Sequence, residues 1–302
     1  MMIRKISSLL VGYLLIFCII KALILLLPGD PINLLLEETG LHIEHAQLAH
    51  QLLLDQGYFP RVINSLLLAA QGDWGTSILT GKRVVPLVLS SFAVTAKLTF
   101  FTLLFALPLS LFFGIASNGP QNVKLSRLCN SMVTSLGAIT AATPSVWIFP
   151  VLLYLFSVKF AIFSVQGDFV LAAMSLAALL VGFWSRLIRA RVRETLFIGS
   201  SIGARARGVS EWKILLKYGF WPASPALVSY FALQTGELLA GAFVAEVVFG
   251  LNGLGTIMIE AVLSRDFPVI EAALFLTTSM IITATTFGDL LQYRIDPRSE
   301  AL

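Results

Sequence analysis

Charged residues are scarce in this sequence. Only 13% of its 302 residues are Asp, Glu, Lys or Arg, whereas a soluble domain has roughly 25%. Hydrophobic residues make up 57% of the chain, and the mean hydropathy is +0.86. A soluble protein of this length could not bury so much apolar surface, so the composition excludes an ordinary globular domain and predicts a membrane protein.

Cysteine is nearly absent as well. The two cysteines, Cys18 and Cys129, are far apart in the chain, which excludes a disulfide framework and a CxxC metal site. The chain also lacks the sequence GxxxxGK[ST], so it cannot hydrolyse ATP through a P-loop of its own. We therefore expect no catalytic residue, no metal site and no cofactor in this chain.

The three histidines are confined to one polar segment, at His42, His45 and His50. His42 and His45 are one helical turn apart and could share a ligand, whereas His50 lies on another side of an ideal helix. A solvated amphipathic helix is favoured over a metal site here. Because no histidine lies in an apolar run, the sequence disfavours a membrane-embedded enzyme, which needs catalytic groups at membrane depth.

Six apolar runs are long enough to cross a membrane as helices, which takes about 20 residues each. Neither an internal repeat nor a broken helix is evident, and this disfavours a self-contained secondary transporter. We predict an all-α membrane protein with six transmembrane helices, at about 7–27, 89–116, 132–157, 169–188, 226–249 and 269–292.

The basic residues are distributed unevenly between the predicted loops. Fourteen of the 21 lysines and arginines fall in four regions that six spans would place on one side of the membrane, and five fall on the other side. The positive-inside rule therefore puts both termini in the cytoplasm. Since topology explains the basic excess, we expect no nucleic-acid partner.

The longest predicted cytoplasmic loop contains SSIGARARGVSEWKILLKYGFWP, residues 200–222. It is too long for a simple turn. Its apolar residues, Ile202 and Trp212 among them, recur at loosely helical spacing, and Gly208 interrupts the pattern. This predicts two helical segments with a break between them, which would form either a docking site for a soluble partner or a basic helix lying on anionic lipid.

Part of this stretch, Ala204-Arg205-Ala206-Arg207-Gly208-Val209, resembles the Ala-Arg-Ala-Lys-Gly-Leu core of the EAA loop in permeases of ABC importers. Five other stretches resemble, in the right order, motifs of the dipeptide, oligopeptide and nickel class, in particular its first (B) permease. They are Pro28-Gly29-Asp30-Pro31, Gly72-Asp73-Trp74-Gly75-Thr76-Ser77, Glu246-Val247-Val248-Phe249 with Gly253-Leu254-Gly255, Arg265-Asp266-Phe267-Pro268-Val269-Ile270, and Asp296-Pro297-Arg298. The chain departs from the family pattern at Ser200, Ile202-Gly203, Tyr218 and Asn252, where the family has Tyr, Glu-Ala, His and Pro.

The resemblance implies a permease subunit of an ATP-driven importer in the bacterial inner membrane, with the type I permease fold. Such a subunit pairs with a second homologous permease, two cytoplasmic ATPase subunits that hydrolyse ATP, and an extracytoplasmic substrate-binding protein, and it is surrounded by lipid. Small peptides are the implied substrate, and nickel or a metal–chelator complex is the alternative. The implied domains are an N-terminal transmembrane helix (1–27), an extracytoplasmic helical segment (28–88), a five-helix core (89–293) with a coupling loop at about 194–222, and a cytoplasmic tail (294–302).

The EAA loop of such permeases docks in a cleft of the ATPase. Gly208 would allow a turn with positive φ, the arginines could pair with acidic residues of the ATPase, and Ile202 and Trp212 would be apolar anchors. The residues expected in this ATPase-coupling loop are Ala204, Arg205, Ala206, Arg207, Gly208 and Trp212.

Charged residues inside membrane spans are functional candidates because their burial is costly. Lys97, Glu237 and Glu246 are the candidates for the translocation path, and pairing with neighbouring helices is the alternative. Lys21 is expected to extend its ammonium group to the membrane surface. Small residues of the fifth span, Gly241 among them, predict close contact with another helix.

Overall fold

The computed structural model describes residues 11–22 and 58–295. Within them, regular structure is helical apart from one isolated antiparallel bridge between Thr76 and Arg83, which confirms the all-α prediction. The three histidines, the ends of the first predicted span and the tail from residue 296 lie outside the described residues, so the predictions for them stay predictions.

The chain divides into two compact units. Unit 1 comprises residues 1–94 and 252–283, and unit 2 comprises residues 95–251 and 284–302. The helices are α1 (Val11–Ala22), α2 (Tyr58–Ala70), α3 (Val84–Ala116), α4 (Lys124–Ala142), α5 (Ser145–Leu153), α6 (Phe169–Leu196), α7 (Gly199–Ala206), α8 (Glu211–Ile214), α9 (Trp221–Leu233), α10 (Thr235–Phe249), α11 (Leu254–Leu263) and α12 (Phe267–Ile295). Short π-helical turns follow α5 (Tyr154–Lys159) and α8 (Leu215–Phe220).

Five of the six predicted spans are recognisable by length and composition. Three of them, α3, α6 and α12, are single helices that are long and apolar enough to cross a membrane. Two more are bent pairs, each of which would cross as one broken span or enter as a re-entrant loop: Lys124–Ala142 with Val146–Lys159, and Glu211–Leu233 with Thr235–Phe249. The span predicted at 7–27 is described only in its middle part, as the shorter apolar helix α1.

The third predicted span is not one continuous helix. Its two halves, α4 and α5, meet at an angle of 111°. Pro144 lacks an N–H group, and its ring disfavours helical geometry in the residue before it. Thr143 is accordingly extended, at φ −111° and ψ 123°. A further bend of 45° separates α9 from α10 at Gln234, so the expectation of unbroken helices is wrong.

α6 is the central helix of unit 2. Its most apolar window is 61% buried, against 33% for α3 and 28% for α12. Trp184 of α6 is almost fully buried, and its ring lies 4.8 Å from the ring of Phe231 on α9. Leu176 of α6 faces α10 at Gly241, where a Cβ would come within 2.9 Å of the leucine side chain. The small residue predicted to allow close contact in the fifth span therefore packs against the fourth.

Two other helices approach α6 at glycines. A Cβ added to Gly114 of α3 would lie 2.6 Å from the Cβ of Ile188 on α6. A Cβ added to Gly182 of α6 would lie 2.6 Å from the methyl group of Thr140 and 3.0 Å from the carbonyl oxygen of Leu136, both on α4. Helices in lipid gain little hydrophobic free energy by associating, so contacts of this kind hold them together.

Unit 1 contains an ion pair between two apolar helices. Lys21 of α1 pairs with Glu271 of α12, and both side chains are largely buried. Next to this pair, the ring of Trp74 lies 5.0 Å from that of Phe275, and Phe17 packs edge-on against both rings. The expectation that Lys21 reaches the membrane surface is wrong, because a carboxylate in the same unit compensates its charge.

A methyl group added at Gly182 tests the packing around α6. In Gly182→Ala the new Cβ would press against Thr140 and the backbone of α4, and overpacking of this kind costs about 1–3 kcal/mol. Gly199→Ala is the matched control, because a Cβ at that position would have no atom within 4 Å. We expect a lower thermal unfolding midpoint in detergent for Gly182→Ala only. Equal midpoints would contradict the close approach of α4 and α6.

Candidate functional site

Residues 200–222 fold as two helical segments joined at a glycine, as the sequence predicts. α7 ends shortly before Gly208, which has φ +74°. The Gly208 N–H donates to the carbonyl oxygen of Arg205 (2.9 Å), and the Val209 N–H donates to that of Ala204 (3.2 Å). This pair of bonds is a Schellman motif, which needs the left-handed backbone that glycine adopts without steric penalty.

One face of this stretch is anchored on the end of α6. Ala204 is fully buried and belongs to the same apolar core as Ile214. The hydroxyl of Thr195 on α6 donates to the carbonyl oxygen of Gly219 (2.6 Å). A Cβ at Gly219 would lie 3.0 Å from the side chain of Leu196, so Gly219 packs closely on the side chains of α6. The stretch is therefore a fixed part of unit 2.

The opposite face of this stretch has exposed apolar side chains. Ile202 of α7 is 58% exposed, and Phe197 and Ile198, just before α7, are exposed as well. Arg207 is also exposed and has no ion pair among the residues that the structure describes. An exposed apolar patch beside a basic group is typical of a protein-binding surface.

Arg205 has its acidic partner within the chain. Its guanidinium contacts the carboxylate of Glu211 through Nε (3.1 Å) and Nη2 (3.3 Å). The two side chains are 44% and 46% exposed, and a pair in that setting is worth about 0–1 kcal/mol. The contact joins α7 to α8 across the turn at Gly208. The sequence predicted a partner on another protein for this arginine and did not indicate Glu211.

Trp212 packs against its own chain. It is 38% exposed, and the edge of its ring is so close to Gly119 that a Cβ there would lie 3.1 Å from Cη2. Gly119 lies in the turn that follows α3. The sequence does not single out Gly119, because Asn118-Gly119-Pro120 indicates only an ordinary turn.

Glu246 lies inside the fold of unit 2. It is fully buried, and its carboxylate accepts a hydrogen bond from the hydroxyl of Thr95 on α3 (2.5 Å). Three residues later, the buried ring of Phe249 lies 6.3 Å from that of Phe149 on α5, and the Phe249 carbonyl oxygen accepts from the N–H of Gly167 (2.8 Å). The Glu246-Val-Val-Phe motif thus joins α10 to α3, to α5 and to the loop before α6.

Lys97 and Glu237 are both exposed on unit 2. The ammonium group of Lys97 lies 4.8 Å from the centre of the Phe169 ring, a cation–π contact. Glu237 accepts a hydrogen bond from the amide nitrogen of Gln234 (2.5 Å). Among the described residues no ion pair joins Lys97 to either glutamate. The role of Lys97, Glu237 and Glu246 in a translocation path stays a prediction.

Unit 1 brings together two stretches that are separate motifs in the sequence. One oxygen of Asp266 accepts from the hydroxyl of Ser77 (2.5 Å), and the other accepts from the N–H of Ile78 (3.1 Å). The loop that contains Ser77 is closed by a hydrogen bond from its N–H to the Lys82 carbonyl oxygen (2.8 Å). Asp266 is buried, so its charge is balanced by these donors.

Removal of the Asp266 carboxylate would leave the donors of Ser77 and Ile78 without this acceptor. Hydrogen bonds to charged groups contribute about 1.5–3 kcal/mol, so we expect the thermal unfolding midpoint of Asp266→Leu to fall clearly below that of the parent protein. Asp289→Leu, at an exposed position of α12, is the control and should change little. A similar fall in both variants would show that the junction with Ser77 has no special weight.

Comparison with known proteins agrees with this arrangement. Residues 106–300 match the family described as binding-protein-dependent transport system inner membrane component. The chain is 30% identical over 279 residues to the glutathione transport system permease protein GsiC of Shigella boydii, with 90% of this chain and 89% of that protein covered. It is 28% identical over 299 residues to GsiC of Salmonella typhimurium, with 97% and 96% covered.

A solved structure has a similar fold. It is the MetNI methionine ABC transporter in an inward-facing conformation, with a TM-score of 0.54 and 21% sequence identity, and the match covers 70% of this chain and 95% of that one. The family match spans well over half of the chain, and the relatives cover nearly all of it. The chain therefore belongs to the binding-protein-dependent inner membrane components and is a permease subunit of an ABC importer.

Proposed function

We propose that residues 200–222 are the surface through which this permease is driven by a cytoplasmic ATPase. The observation that carries the proposal is the two-sided construction of this stretch. Ala204 and Gly219 pack tightly on the end of α6, whereas Ile202 faces outward beside Arg207. A force applied to the outward face is therefore transmitted to the central helix of unit 2.

The outward face suits a groove on a soluble partner. Ile202, Phe197 and Ile198 would bury apolar surface on docking, and such anchors carry most of the free energy of an interface. Arg207 would set orientation more than affinity, because exposed ion pairs contribute only about 0–1 kcal/mol. ATP is bound and hydrolysed by the partner subunits in this proposal, and this chain supplies no catalytic group.

The sidedness follows from the distribution of charge. The basic residues concentrated in 186–222 put this region, and with it both termini, in the cytoplasm. The complete importer would contain a second homologous permease, two ATPase subunits and an extracytoplasmic binding protein in the plasma membrane. Segment 28–88 would face the binding protein.

We infer that small peptides are the substrate class. The relatives are permeases of glutathione transport systems, and glutathione is itself a small peptide with charged ends. Lys97 and Glu237 are exposed on unit 2 and carry opposite charges, which suits them to meet those ends in a shared path. The nickel or metal–chelator alternative has no counterpart among these relatives.

Substrate class can be tested with the reconstituted importer and its binding protein. Uptake of labelled glutathione, a labelled dipeptide and nickel would be measured in parallel in proteoliposomes supplied with ATP. We expect ATP-dependent uptake of at least one of the two peptides. Uptake of nickel alone would overturn the peptide assignment and leave the coupling proposal standing.

The coupling role predicts a specific defect for Gly208→Asp. The side chain would strain a backbone at φ +74° and place a carboxylate where the partner must approach closely. We expect loss of binding-protein-stimulated ATP hydrolysis, while the chain still inserts and still binds the second permease. Gly199→Asp adds the same charge to the same loop at an open position and should retain most of the activity.

Stimulated hydrolysis and co-purification of the partner chains would be compared in the two variants. Full stimulation in Gly208→Asp would refute the coupling role of residues 200–222. Equal loss in both variants would attribute the defect to the added charge and not to the glycine turn.

A further inference from the structure

We propose that Trp212 positions the coupling loop against the turn that follows α3, so that movement of the loop reaches α3 through Gly119. The inference rests on the proposed function of residues 200–222. It assigns to Trp212 a contact within this chain, in place of the expected contact with the ATPase. All the residues concerned belong to unit 2.

The turn after α3 is a firm support. The N–H of Gly119 donates to the carbonyl oxygen of Ala116 (3.0 Å). The side-chain amide of Asn118 donates both to the carbonyl oxygen of Gly114 on α3 and to that of Arg189 on α6, each at 3.1 Å. The turn is therefore tied to both helices.

Gly119 lies between two side chains. A Cβ there would lie 3.1 Å from Cη2 of Trp212 and would also collide with the hydroxyl oxygen of Ser126 in the first turn of α4. With glycine at this position the indole edge lies close to the backbone, and a larger residue would displace Trp212 and Ser126. The contact between loop and turn is thus a stiff one, with no flexible chain between them.

The loop is equally firm on the side of Trp212. The residue before it, Glu211, is paired with Arg205 of α7. Ile214, two residues further along α8, is fully buried in the core of unit 2. A displacement of α7 would therefore carry the indole with it. Shifts of about 1–2 Å are usual for helices at such interfaces.

Such a shift would be transmitted to α3. This helix carries Thr95, the partner of Glu246, and Lys97, the exposed cation considered above for the translocation path. A push on Gly119 acts at the opposite end of the same helix. Trp212 is thus a positioning residue, which acts on the path through α3 and touches no substrate.

The test measures movement of α3 directly and needs no knowledge of the substrate. A bimane fluorophore would be attached at Leu104→Cys, an exposed position of α3, after replacement of Cys18 and Cys129 by alanine. Ser126→Ala would be included throughout, because the Ser126 hydroxyl is buried without a hydrogen-bond partner and would otherwise confuse the effect of Gly119→Ala. The complete importer with its ATPases and binding protein would be reconstituted, and ATP with vanadate would be added.

In this parent the fluorophore emission should change when the ATPases are trapped. We expect Trp212→Ala and Gly119→Ala each to reduce that change by about threefold or more, and the double variant to be no worse than the worse single variant, since the two changes remove one contact. Trp212→Phe, which lacks the ring edge that meets the new Cβ, should restore part of the response in Gly119→Ala. Trp147→Ala, which removes a 69% exposed tryptophan from α5, outside residues 200–222, is the matched control and should respond as the parent does.

Several outcomes would overturn the inference. An unchanged emission response in Trp212→Ala and Gly119→Ala would do so, even if Gly208→Asp proved uncoupled, and in that case the proposed function would survive. Release of the ATPases by Trp212→Ala but not by Gly119→Ala would make the indole part of the docking site instead. If Trp212→Ala failed to assemble, Trp212→Phe would take its place and be compared with the control. A normal emission response in both Trp212→Phe and Gly119→Ala would then decide against the contact.

Discussion

The close approach of helices to α6 is the constraint on which unit 2 depends. At Gly114 and Gly182 an added Cβ would lie 2.6 Å from an atom of the neighbouring helix, and at Gly219 it would lie 3.0 Å from the side chain of Leu196. A side chain at any of these positions would therefore force its neighbours to move. Apolar side chains in lipid gain little free energy when they move from lipid into a helix–helix contact. Van der Waals contact between closely packed helices therefore replaces the hydrophobic effect. Residues 200–222 are held in position by the same arrangement, since Gly219 is one of the three.

The few charged residues in the apolar helices are stabilised in different ways. Each arrangement offsets the free energy that is needed to move a charge out of water. Lys21 is neutralised by Glu271. Glu246 is buried and held by the hydroxyl of Thr95. Lys97 stays exposed and rests on the ring of Phe169. Two of these charges, those of Lys21 and Glu246, serve to join helices.

The short motifs of this family make contacts between segments that are distant in the chain. Ser77 and Asp266 belong to two different motifs and meet in one buried hydrogen bond. Glu246 and Phe249 fasten α10 to its neighbours. In the coupling motif, Gly208 ends a helix. Each motif is hard to interpret alone, because the polar group or side chain that it contacts lies in a distant part of the chain.

The sequence by itself determined the membrane location, the all-helical class, the approximate spans and the break at Gly208, because these follow from local quantities: apolar length and the backbone freedom of glycine. Charge placement also predicted a sidedness. Only the tertiary structure decided that Lys21 pairs with Glu271, that Arg205 pairs with Glu211, and that Trp212 rests on Gly119. The bend at Pro144 is an intermediate case. The proline is evident in the sequence, but it lies within an apolar run long enough to predict one continuous span. Pairings across many residues depend on which helices pack together, and hydropathy carries no information about that choice.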